Sequence, residues 1–223
     1  MGEPYIVLEG YDSKAVDMDY DQYYYLYYTL PVLRNAECIV ETGLGMGGST
    51  RIFLEALSSL PIPKDRVLHT WDILDNEHSQ AAVGKIRAMD FPARWVFHHG
   101  DSTQRDPGLV GRGGVTGERD DPFPEEAVID VLYLDSDHAY STVKAELERF
   151  GPHLRRDGHS LVWTHDSMPN IEHSSYTREN GRPSWTYTAV KEWGDAHGYR
   201  SLLYGYPQGI TLLYQLPRPT LEF

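Results

Sequence analysis

The sequence predicts an α/β fold: a doubly wound, mostly parallel, seven-stranded sheet with helices on both faces and an antiparallel strand at the C-terminal end. Three observations carry this. Short apolar runs alternate with helix-like stretches, the pattern of a parallel sheet. A glycine-rich turn, Gly43-Leu44-Gly45-Met46-Gly47-Gly48, joins the first run to the first helix. Near the end, two alternating strands flank Gly205-Tyr206-Pro207-Gln208, a hairpin signal.

Taken in order, the first strand is expected at 38–42 (Cys-Ile-Val-Glu-Thr) and a helix follows at 49–60. Further strands are expected at 66–71, 94–98, 128–134 and 159–164, each rich in Val, Ile, Leu or aromatics and ending in a polar cluster. Helical patterns at 78–89 and 141–154 separate them. A helix at 187–197 then leads into the hairpin strands at 200–204 and 209–215. Two stretches read as irregular: 106–126, crowded with Gly, Pro and charge, and 167–184, which follows the fifth strand and can cover a site. In that second stretch and beside it, His173, Tyr176, Arg178 and Trp185 are the places to look for substrate contacts.

The whole length of 223 residues suits one domain, with a core at 36–215 and an N-terminal segment at 1–35. Within that segment Asp19-Tyr20-Asp21-Gln22-Tyr23-Tyr24-Tyr25-Leu26-Tyr27-Tyr28 would make a helix with an aromatic surface. It can pack on the sheet edge, form a homo-oligomer interface, or lie as a lid over a cationic ligand. The formal net charge of −13 opposes a polyanionic partner, and no basic run offsets it, so a small-molecule substrate is expected and nucleic acid is not. Cys38, the single cysteine, reads as a small core residue. No run approaches the roughly 20 apolar residues of a membrane span, and no signal-peptide pattern opens the chain, so a cytoplasmic protein is expected.

The glycine turn is a ligand-binding signature. Glycine permits positive φ and close approach of the backbone, and the helix beyond it offers free N–H groups and a partial positive charge. Gly43, Gly45 and Gly48 satisfy the dinucleotide pattern G-x-G-x-x-G. Gly43, Gly45 and Gly47, with Ser49 opening the helix, equally satisfy the G-x-G-x-G of S-adenosylmethionine (SAM) binders. The antiparallel end of the sheet favours SAM, as does Glu41, which could meet the cationic amino group of a methionyl moiety. Asp72, closing the second strand, suits ribose hydroxyls. Asp101 and Ser102, after the third, suit adenine, although a helix cap is a competing role for Asp101. His98 and His99 could reach the same side.

The fourth and fifth strands run into Asp135-Ser136-Asp137-His138 and His165-Asp166-Ser167. If the strands are neighbours, Asp135, His138, His165 and Asp166 converge at one rim. Carboxylates with imidazole suit a divalent ion, which could acidify a substrate hydroxyl; a neutral His could then remove the proton near pH 7. Asp137 is a backup ligand that strand alternation would turn away. Lys144 and Arg149 read as surface residues, and Trp163 as core.

Together these motifs resemble the class I SAM-dependent methyltransferases with their Rossmann-like sheet. More narrowly they resemble the metal-dependent O-methyltransferases of natural-product pathways, the macrocin and mycinamicin sugar group and its cephalosporin-hydroxylase-like relatives, over about residues 37–215. The resemblance implies SAM bound by Glu41, Gly43, Gly45, Gly47, Ser49, Asp72, Asp101, Ser102 and Asp135. It implies Mg²⁺ on Asp135, His165 and Asp166, with Asp135 and His138 catalytic and His138 the general base. His165 stands where that family usually has a carboxylate, which points towards Mn²⁺ or Fe²⁺, to His165 as the base, or to a lost metal. Three other functions fit the same residues: a metal-independent N- or C-methyltransferase, an NAD-dependent oxidoreductase, and a non-catalytic SAM-binding subunit.

Overall fold

Five consecutive residues, Cys38–Thr42, form strand β1, and every one is buried. A central strand of a parallel sheet is covered on both faces, which is why its sequence is a continuous apolar run rather than an alternation. The computed structural model describes residues 35–59, 66–104, 123–167, 178–179, 182–183, 186–204 and 210–215. The tyrosine-rich stretch at 19–28, nearly all of the 106–126 stretch, His173, Tyr176, Trp185 and the Arg178 side chain lie outside them.

After β1 come α1 (Gly48–Ser58), β2 (Val67–Asp72), α2 (Glu77–Arg87), β3 (Arg94–His99), β4 (Val131–Leu134), α3 (Tyr140–Phe150) and β5 (Leu161–Thr164). A two-residue pair, β6 (Arg178–Glu179) with β7 (Arg182–Pro183), precedes α4 (Thr186–His197), β8 (Arg200–Tyr204) and β9 (Ile210–Tyr214). The main sheet has seven strands in the order β3-β2-β1-β4-β5-β9-β8. Strands β1 to β5 are parallel, and β9 enters antiparallel between β5 and β8. The predicted fold is the observed one, including the closing antiparallel pair.

Successive strand residues point to opposite faces. On one face Ile39, Tyr133 and Trp163 pack with Phe53, Leu54 and Leu57 of α1. On the other, Val40, Leu132, Val162 and Leu213 pack with Leu147 and Phe150 of α3 and Val190 and Trp193 of α4. Trp163 and Cys38 are core residues as expected, and burial pushes the Cys38 thiol up to about 12.

Two boundaries differ from the sequence reading for identifiable reasons. Strand β4 starts at Val131, not at 128, because the preceding residues anchor the sheet's lower end. Asp130 accepts from the Glu37 and Cys38 N–H groups and from Arg155 Nε at 2.6 Å, while Ile129 makes an isolated parallel bridge to Leu154. Helix α3 ends at Phe150, and Gly151–His153 is a 3₁₀ turn; Pro152 has no N–H with which to continue an α-helical ladder. Among the described residues no helix is long and apolar enough to cross a membrane.

Candidate active site

The strand register lines up one residue after another along the carboxyl edge of the sheet. Thr42 pairs with Trp71 on one side and Leu134 on the other, Asp72 with His99, and Leu134 with Thr164. The next peptide groups continue the ladder: Gly100 N–H donates to Asp72 O, Gly43 N–H to Trp71 O, Asp135 N–H to Thr42 O and His165 N–H to Leu134 O. Gly100, Asp72, Gly43, Asp135 and His165 therefore stand in a row. The chain changes direction across it between β1 and β4, the switch point where open α/β sheets bind ligands.

Gly43, Gly45 and Gly47 all have positive φ, at 85°, 51° and 86°. At Gly43 the requirement is absolute, since a Cβ would sit 2.0 Å from the Asp135 carbonyl oxygen. At Gly45 the missing Cβ faces open space, leaving backbone bare for a ligand. Helix α1 begins after Gly47 with no side-chain cap on its first turn, so the fit to an anionic or polar cofactor end is direct.

Two carboxylates hold this loop in shape. Glu41 is wholly buried and accepts from Ser49 Oγ at 2.5 Å, Thr50 Oγ1 at 2.6 Å and Thr70 Oγ1 at 2.9 Å. Burial pushes it up to about 7, against the opposing effect of those three hydroxyls. Asp72 accepts from Leu44 N–H at 2.8 Å and Leu74 N–H at 2.6 Å, tying the glycine turn to the end of β2. Asp101 bonds the Thr103 N–H and hydroxyl at 2.8 and 2.7 Å, a turn-closing role; these bonds outweigh partial burial and lower its pKa.

Ser102 is buried and donates to Glu146, a carboxylate of α3 that is itself fully buried and pushed up to about 7 by that burial. Arg149 is not the surface residue expected. Its Nη1 donates to the Ser102 carbonyl at 2.6 Å and its guanidinium lies 5.0 Å from the Trp71 ring centroid, because α3 packs directly beneath the 100–104 turn. His98 turns into the sheet, where its Nε2 meets His69 Nδ1 at 2.9 Å and its ring stacks on Trp71 at 3.9 Å; burial drops it to about 3. His99 is exposed and contacts the Ile73 carbonyl, and Lys144 is exposed as expected.

At the other end of the row, the four residues expected to converge do so. His138 Nε2 lies 2.9 Å from Asp135 Oδ1, and its Nδ1 lies 3.0 Å from Asp166 Oδ2. His165 Nδ1 lies 3.3 Å from Asp135 Oδ1 and 3.6 Å from Asp166 Oδ1. Tyr133 donates to the second Asp135 oxygen at 3.2 Å. His138 and Asp166 both have left-handed backbone, with φ of 59° and 52°. Such conformations cost a non-glycine residue on the order of 1–3 kcal/mol and persist where surrounding structure enforces them. Asp137 instead closes the turn leading into α3, accepting from Ala139 N–H and Thr142 Oγ1.

The charges at this rim reinforce each other. Burial opposes ionisation of Asp135, but the His165 and His138 imidazoles hold it well below the usual carboxylate range. Burial likewise opposes charging of His138, yet the bond to Asp135 and the Asp135 and Asp166 charges raise its pKa. One ligand atom from each of Asp135, His138 and His165 lies within 4.8 Å of the others, so the donor set suits a divalent ion. Glu146 and Tyr133 were missed by sequence reading, since each sits in an ordinary helical or strand pattern with nothing local to set it apart.

A sheet of this order, closed by an antiparallel pair and carrying a glycine loop beside a rim of ionisable groups, is the class I methyltransferase fold. Residues 40–167 match the family model described as Methyltransferase domain, and the chain belongs to that family of SAM-dependent methyltransferases. Its fold is similar to cofactor-bound Rv0187 from MTB (15% identity, TM-score 0.61, 93% of this chain and 92% of that one). It is also similar to the O-methyltransferase from Bacillus cereus in complex with SAH (16%, 0.60, 94% and 94%). A third similar structure is apo CalS11, a TDP-rhamnose 3'-O-methyltransferase of calicheamicin biosynthesis (16%, 0.55, 90% and 82%). No curated protein sequence matches the chain.

Proposed function

We propose that the chain transfers the methyl group of SAM to a hydroxyl oxygen of a small organic substrate, assisted by a divalent ion at the β4–β5 rim. The observation that carries this reading is the convergence of Asp135, His138, His165 and Asp166 one strand away from the glycine loop. SAM supplies an electrophilic methyl carbon whose bond to sulfur breaks as the bond to oxygen forms. Glu41 and Asp72 would shape the loop that receives the methionyl and ribose ends, with Gly43, Gly45, Gly47 and Ser49 forming it and Asp101 and Ser102 shaping the adenine side. Asp135 and His165, with Asp166 beside them, would hold the ion, and such an ion lowers the pKa of a bound hydroxyl. Holding hydroxyl and methyl in line is the larger part of the work, worth on the order of 7–11 kcal/mol at best.

His138 takes the hydroxyl proton. In the ion-free site its two carboxylate neighbours favour the protonated form; an ion held by those same carboxylates would offset their charge and leave the imidazole free to accept the proton. Among the similar structures, the Bacillus cereus protein and CalS11 carry O-methyltransferase in their names, and CalS11 acts on a sugar nucleotide. That supports a hydroxyl acceptor of the natural-product kind, and the net charge of −13 supports a small rather than a polyanionic substrate. A second reading, metal-independent transfer to nitrogen or carbon, draws on one observation: His138 already links Asp135 and Asp166 as an ion would.

The test is methyl transfer to a panel of hydroxylated small molecules, read as formation of the demethylated cofactor. Asp135→Ala and EDTA should each abolish turnover while calorimetry shows SAM affinity nearly unchanged. Full activity in EDTA would remove the ion from the mechanism, and EDTA-resistant transfer to amine or carbon acceptors added to the panel would select the second reading.

A further inference from the structure

We propose that the β4–β5 rim takes an imidazole-preferring first-row transition ion, of the Zn²⁺ or Co²⁺ kind, over Mg²⁺, with His165 as the residue that makes the choice. This rests on the reading above that the rim holds a divalent ion. Two ligand atoms each about 2.1 Å from one ion lie about 3.0 Å apart at a right angle and about 3.4 Å apart at the tetrahedral angle. Asp135 Oδ1 and His165 Nδ1 are 3.3 Å apart, the spacing of adjacent corners in a coordination shell. An ion reaching that Asp135 oxygen therefore meets an imidazole nitrogen next to it.

His165 has no easy way out of the shell. It is only 5% exposed, its N–H is held by the Leu134 carbonyl through the β4–β5 ladder, and Ser167 beyond it is buried against Thr164. A second imidazole nitrogen, on His138, lies 2.9 Å from the same Asp135 oxygen. His138 need not bind the ion for selection to follow, because one imidazole already replaces one oxygen. Mg²⁺ demands near-octahedral oxygen ligation and dehydrates reluctantly, whereas imidazole suits Zn²⁺ and its first-row neighbours. A rim in which nitrogen and oxygen alternate this closely is poorly matched to the first and well matched to the second.

The experiment titrates the metal-stripped full chain with Zn²⁺, Co²⁺ and Mg²⁺ by calorimetry and follows the visible absorption of bound Co²⁺. Zn²⁺ and Co²⁺ should bind at least about a hundredfold tighter than Mg²⁺ at a site that Asp135→Ala removes. His165→Asp should cut the Zn²⁺ to Mg²⁺ ratio at least about tenfold and alter the Co²⁺ spectrum, with circular dichroism confirming the fold. Mg²⁺ binding as tightly as Zn²⁺, or a ratio unmoved in His165→Asp, overturns the proposal and leaves the metal reading standing. Binding of no ion at an Asp135-dependent site overturns both. If His165→Asp does not fold, His165→Asn serves in its place; if neither folds, the wild-type ratio decides, with a hundredfold gap supporting the proposal and parity overturning it.

Discussion

On the β1–β2–β3 side of the carboxyl edge, the carboxylates of Glu41 and Asp72 accept hydrogen bonds from hydroxyls and peptide N–H groups of the chain itself. On the β4–β5 side, Asp135 and Asp166 face the imidazoles of His138 and His165. Both sides are acidic strand ends of the same sheet, a few residues apart in register, and their chemistry diverges. Glu41 is driven towards its neutral form, while Asp135 is held ionised. The difference teaches that a carboxylate surrounded by neutral donors acts as a brace for the loop. One surrounded by imidazoles is kept charged. Substitutions on the first side should therefore register in stability and cofactor affinity, and those on the second in turnover.

The largest expected effect is at the seam between the two sides. Gly43→Ala would place a Cβ 2.0 Å from the Asp135 carbonyl at a φ of 85°, so we expect roughly 3 kcal/mol or more of destabilisation. Thermal melting should show it, and SAM binding should vanish; a variant that melts like wild type would mean the seam is not as tight as it stands.

The brace role of Glu41 has a pH signature. Its pKa is raised on folding from the usual 4.5 to about 7, so its contribution is fully present below about pH 4.5 and lost as pH rises through about 7. Glu41→Gln, which stays neutral, should flatten the decline in melting temperature between pH 5 and 8, by on the order of 3 kcal/mol at most. Equal slopes in the two proteins would show that Glu41 is already ionised and would blur the contrast with Asp135. The smallest effect is expected from Asp72→Ala. Losing its bonds to Leu44 and Leu74 should weaken SAM binding by at least about tenfold, roughly 1.4 kcal/mol, with turnover at saturating SAM much less changed. An Asp72→Ala protein that binds SAM normally but does not turn over would reverse the assignment of the two sides.

Much of this site was legible because its signals are local. The glycine turn after an apolar strand, Asp72 at a strand end and the Asp135-to-His138 spacing each lie within one strand–turn unit. Ser102 shows where local reading stops: its position after Gly100-Asp101 suggested cofactor contact, but its hydroxyl is directed to Glu146, 44 residues away. Arg149 likewise reads as a solvated helix residue until α3 is seen to pack under Trp71 and the 100–104 turn. His98 follows the same rule, since only the pairing of β2 with β3 sets it against His69.

By itself, then, the sequence determined the element types, the glycine turn and the residue types offered at each strand end, because periodicity, backbone permissiveness and side-chain chemistry are properties of short segments. The tertiary structure decided which of those residues meet. The Thr42–Leu134 and Leu134–Thr164 register brings Gly43, Asp135 and His165 into one row. The left-handed turns at His138 and Asp166 fold both side chains back onto it. Register depends on which strands pair, and that is set by burial of the whole sheet between its two helical layers, not by any segment alone.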